Sequence, residues 1–147
     1  MGRVIRSILA VIAGFVVASA VMMVVETVNG HLLYPELGKS AQGVTDRDVI
    51  RELLANAPVG ALVVVIIGWT LGSVAGGFVA TRISRKPPGG HALVLGCVLT
   101  LAGVANNLML PPPVWFWIAT FAVFLPATHV GARLVPQRQS AGATPSP

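Results

Sequence analysis

Four stretches of this chain each run for roughly twenty residues with almost no charged side chain, the length a helix needs to cross a bilayer. Nothing else in the sequence constrains the fold so strongly. The predicted spans cover about residues 4–28, 58–82, 91–110 and 114–135. Only 10% of the 147 residues are charged, and the mean hydropathy is +0.80. A soluble domain carries about 25% charged residues, so this chain has too little polar surface for water. The reading is one all-α domain over residues 1–135, a bundle of four transmembrane helices, followed by a disordered cytoplasmic tail at 136–147.

The second span carries the densest pattern. Gly68, Gly72, Gly76 and Ala80 recur every fourth residue, with Ser73 and Gly77 beside them. Residues four apart stack on one face of a helix, so these side chains form a nearly bare groove. In water such a helix would be a poor one, at a cost of about 1 kcal/mol per glycine relative to alanine. In lipid the backbone must bond internally, and small residues let neighbouring helices approach closely. Ala10, Gly14 and Ala18 give the first span a small face of its own. The groove is expected to receive that face or another copy of the chain.

The remaining segments read in order. A secretory signal competes for residues 1–25, because Ala18-Ser19-Ala20 has the form of a cleavage site. The apolar run continues past it through Val25, which favours an uncleaved helix. Glu26 closes the first span, and residues 36–44 read as loop. Thr45 then reads as the N-cap of a short amphipathic helix over about 45–57, placed on the membrane surface in the first extracytoplasmic loop. Ile83 to Gly90 reads as a basic, rigid turn that cannot be helical, and Pro111-Pro112-Pro113 as a tight break. Pro126 is expected to kink the fourth span. Cys97, the single cysteine, excludes an internal disulfide and reads as a small packing residue.

Charge placement orients the bundle. Arg3, Arg6, Arg82, Arg85, Lys86, Arg133 and Arg138 stand at the amino end, the second turn and the tail, with no acid among them. The first loop mixes Lys39, Arg47 and Arg51 with Glu36, Asp46, Asp48 and Glu52. Under the positive-inside rule both termini are cytoplasmic, in a cell inner membrane. The net charge of +5 is explained by this topology. Basic residues without interleaved aromatics do not point to nucleic acid.

That topology collects a carboxylate, an imidazole and amides near the outer boundary: Glu26, Asn29, His31, Asn106 and Asn107. Ionisable groups within a span are costly and usually face the bundle or water. Glu26 is therefore the candidate proton or cation site, with Asn106 or Asn107 as hydrogen-bond partner and His31 as a second titrating group. The plainer reading is that Glu26 ends its helix at the headgroups and points to water. His91 and His129 fall in other layers from His31, so no metal centre is expected. Thr70 and Ser73 are expected to bond back to their own helix, and Trp69 to serve packing. With no phosphate loop, nucleophile elbow or HExxH, no cofactor and no enzyme activity are expected.

Glu26 through His31 with Tyr34-Pro35, the run Gly72-Ser73-Val74-Ala75-Gly76-Gly77 with Arg82, and Asn106-Asn107 before Trp115-Phe116-Trp117 resemble small four-helix membrane proteins of bacteria. The resemblance spans about residues 1–135 and implies a fold and a bacterial inner membrane, with no activity attached. Small multidrug resistance transporters also have four helices and a glutamate in the first. Their short loops and substrate-lining aromatics are not matched here, and Glu26 reads as the end of its helix. The sequence thus points to a non-enzymatic structural or accessory membrane protein whose candidate partners are the bilayer and a second copy of itself. The alternative is a small oligomeric transporter or channel that uses Glu26, its ligand undefined.

Overall fold

The computed structural model describes residues 2–84 and 89–136. Of the turn expected at 83–90, residues 85–88 lie outside the described residues, as does the tail beyond 136, while Ile83 and Ser84 belong to the helix before it and Gly90 to the helix after it. The described chain is helical: α1 (Gly2–Val28), continued by a π-turn (Asn29–Leu33), then α2 (Pro35–Ala41), α3 (Arg47–Ala55), α4 (Val59–Ser84), α5 (Gly90–Met109) and α6 (Val114–Arg133). Four helical segments are long and apolar enough to cross a membrane by length and composition: Val4–Leu33, Val59–Ser84, Gly90–Met109 and Val114–Arg133. That much is compatible with a multi-pass membrane protein.

The first helical segment runs further than the sequence implies. Glu26 does not close it; the helix continues for seven residues to Leu33. A Tyr34 N–H to Asn29 carbonyl bond of 2.8 Å closes the wider π-turn. Residues 36–44 are likewise not all loop, since α2 occupies Pro35–Ala41. Pro35 opens it, and Lys39 pairs with Glu36 at 2.9 Å. Gly38 lies so close to the Gly30 backbone that a Cβ there would strike the Gly30 carbonyl, which is how α2 folds back against the π-turn. The N-cap of α3 is Asp46 and not Thr45: its Oδ1 accepts from the Asp48 and Val49 N–H groups at 2.8 and 3.2 Å. A carboxylate there also complements the positive helix end.

The long helices are arranged about α4. One side of it takes α1, running antiparallel. A Cβ added to Gly72 would lie 2.7 Å from the Ala18 carbonyl, one on Gly76 2.6 Å from the Gly14 carbonyl, and one on Gly68 2.9 Å from Val25. Ala10, Ala18 and Ala80 are fully buried. At the far end the Arg6 guanidinium donates to the Ser84 carbonyl at 2.6 Å. The other side of α4 takes α6, running parallel to it: Trp69 meets Phe116 and Phe124, and further along a Cβ on Gly77 would strike the Thr128 carbonyl, with Gly131 as close to the Val74 carbonyl where the helices cross. Helix α5 then lies antiparallel against α6, with Gly103 beneath Phe124. Pro126 removes one N–H from the ladder, yet α6 continues through it as a single helix.

The interior combines an apolar cluster of Leu95, Leu99, Trp69, Phe116 and Phe124 with the fully buried Asn107, Thr120, Thr128 and Ser73, while Ile8, Leu101 and Ile118 stand outward. Thr70, Thr120 and Thr128 donate to carbonyls of their own helix at 2.8, 2.9 and 2.9 Å. Ser73 does not follow that pattern, and its buried hydroxyl has no partner among the described residues. Cys97 is exposed on α5 and so does not pack inside the bundle.

Candidate functional site

Trp69 is the floor of the site. Its ring stacks on Phe124 at 5.2 Å and meets Phe116 edge-on at 5.2 Å, so the indole is held by α6 and is almost fully buried. A buried indole N–H needs an acceptor, and it finds one across the helix pair: Trp69 Nε1 donates to Glu26 Oε1 at 3.0 Å. Trp69 was expected only to pack, and a donor pairing over 43 residues of sequence has no local signal.

That bond fixes the level of Glu26. Trp69 lies about 15 Å along α4 from Val59, at 1.5 Å per residue. Glu26 itself sits about 10 Å before the end of its own helical segment at Leu33. Its carboxylate is therefore well within the helical rods and not at their rim, as the sequence had implied.

Glu26 opens onto a groove of about 280 Å³ between α1 and α5, where the two helices diverge. Phe15, Ser19 and Met22 line it from α1, and Leu99, Ala102 and Asn106 from α5. Glu26 and Asn106 are both exposed along it. The groove thus offers one carboxylate, one amide and one hydroxyl on apolar walls.

The other predicted site residues go elsewhere. Asn29 turns inward, and its Nδ2 donates to the Ala61 carbonyl of α4 at 2.9 Å. Asn107 is fully buried, donating through Nδ2 to Thr120 Oγ1 at 2.8 Å and tying α5 to α6. Their amide oxygens, Asn29 Oδ1 and Asn107 Oδ1, have no partner among the described residues. His31 is exposed on the π-turn and does not line this groove. Five residues expected in one layer thus resolve into a shared groove for Glu26 and Asn106, two cross-helix braces, and one outlying histidine.

A second, larger hollow of about 590 Å³ lies at the end of the bundle, between α2, α3 and the start of α4. Leu33, Tyr34, Val49, Leu53 and Pro58 line it, with Glu36 and Glu52. Among the described residues no three of His, Cys, Asp and Glu gather as a metal ion would require. Comparison with protein-family models, with curated proteins and with solved structures gives no match to any of them.

Proposed function

We propose that this chain is an integral, multi-pass protein of a bacterial inner membrane, with both termini cytoplasmic, and that the α1–α5 groove exchanges a proton or a small cation at Glu26. It makes and breaks no covalent bonds. The observation that carries this reading is the carboxylate of Glu26, hydrogen-bonded to a core tryptophan and set well inside the helical segment. Carboxylates at such depth are costly and mark ion and proton pathways. The outward display of Ile8, Leu101 and Ile118 on apolar spans supports the bilayer as the solvent. The orientation is supported by the basic residues at the amino end, the second turn and the tail of the sequence. The close α1–α4 contact through Gly72 and Gly76 is the kind of packing that lipid favours, and α3 caps the outer end at the membrane surface.

The deciding measurement is ion flux into proteoliposomes. Wild-type protein is expected to pass protons or monovalent cations above the protein-free background, and Glu26→Gln is expected to abolish the excess. Flux that is absent from wild type, or unchanged in the variant, would remove the exchange role and leave a structural or accessory protein.

A further inference from the structure

We infer that the α1–α5 groove is the contact between two copies of this chain, with the amide of Asn106 of the partner subunit donating to Glu26. The inference rests on the reading that these helices lie in lipid, and not on ion exchange.

Each copy leaves polar valences open on one side. Glu26 receives the Trp69 N–H on Oε1, while Oε2 has no donor among the described residues. Asn106 is exposed on the same groove, and its side chain makes no hydrogen bond among the described residues. Acyl chains supply neither donors nor acceptors, and the polar heads of lipids stay above the level of Trp69. A group that carries both a donor and an acceptor at that level completes the groove.

A second copy does so by symmetry. The face displays an acceptor with a spare oxygen beside an amide with two spare N–H hydrogens, so it complements itself. A two-fold axis along the membrane normal brings residues of equal depth together, and such an interface repeats each contact twice. Glu26 of each copy then meets Asn106 of the partner subunit, giving two equivalent bonds. Ser19 and Ala102, the small side chains of the groove walls, leave room for the approach. The site is complete only in the pair, since neither copy alone satisfies its own carboxylate and amide.

The single thiol offers an internal control. Cys97 is nine residues before Asn106, two and a half turns away, and so faces the opposite side of α5. In intact membranes, mild oxidation should leave wild type monomeric on a non-reducing gel. The double variant Cys97→Ser with Ala102→Cys should yield a covalent dimer. Adding Asn106→Ala should weaken dimerisation about tenfold, from two interhelical bonds lost per pair. Glu26→Ala should do the same, whereas Glu26→Gln keeps an acceptor oxygen and should preserve the dimer even where it abolishes flux. A monomeric mass in detergent together with no crosslink through Ala102→Cys would overturn the inference, as would a Cys97 crosslink as efficient as that one. Release of the protein by alkaline carbonate without detergent would instead overturn the membrane reading beneath it.

Discussion

Helix α1 has two working sides, and they are built on opposite terms. Toward α4 the middle of α1 is pared to glycine and alanine, with backbone meeting backbone at Gly14, Ala18, Gly72 and Gly76, and Met22 and Val25 packing on Gly72 and Gly68 beyond it. Toward α5 the side chains are Phe15, Ser19, Met22 and Glu26, and the helices stand apart around a groove. The closed side has no polar side chain between Gly14 and Ala18, and the open side carries the only carboxylate of α1. Close packing and a charged group are mutually exclusive at one seam, because a desolvated carboxylate needs donors that bare backbone contacts cannot spare. One helix separates the two tasks by facing them in different directions, and Trp69 links them by reaching from the packed side to Glu26.

The strongest way to break the contrast is bulk on the closed side. Gly72→Leu would drive a side chain into the Ala18 carbonyl and Met22. It should cost about 3 kcal/mol or more, seen as a large loss of thermal stability in detergent, because the Ala18 carbonyl cannot give way. Removing the link between the sides is the next test. Trp69→Phe keeps most of the ring packing on Phe116 and Phe124 but leaves Glu26 Oε1 without its donor. The expected cost is about 1–2 kcal/mol in the same assay, from the lost hydrogen bond and a small cavity. The smallest effect belongs to the open side. Ala102→Leu adds one carbon less than the glycine variant to an exposed wall of the groove, and unfolding of the single chain should shift by less than about 0.5 kcal/mol. Equal losses from Gly72→Leu and Ala102→Leu would mean that the two sides do not differ as described.

The four long rods are legible in the sequence because a run of apolar residues without charge has few other solutions. What lies between and across them is less so. Glu26 followed by Asn29-Gly30 carries the marks of a helix stop, yet a single π-turn carries the backbone to Leu33, and no composition rule foretells an extra residue in a turn. Pro35–Ala41 contains a glycine and is too short for periodicity to show, so its helix depends on docking against Gly30. Thr45 and Asp46 are both competent caps, and the choice between them is made by where the chain enters α3. At the site, Glu26 and Asn106 were visible as polar residues in apolar runs. Which amide faces the groove was not, because Asn106 and Asn107 are neighbours and helix rotation alone sends the second to Thr120.

The central place of α4 has a consequence for how the protein is made. The helix that α1 leans on is translated after it, and the helix on the far flank of α4 comes later still. When α1 is first made, its glycine and alanine face has nothing to rest against, and Glu26 has no indole to greet it. Assembly must therefore converge on α4 from earlier and later polypeptide alike, and until α4 arrives the first helix is a lodger awaiting its wall.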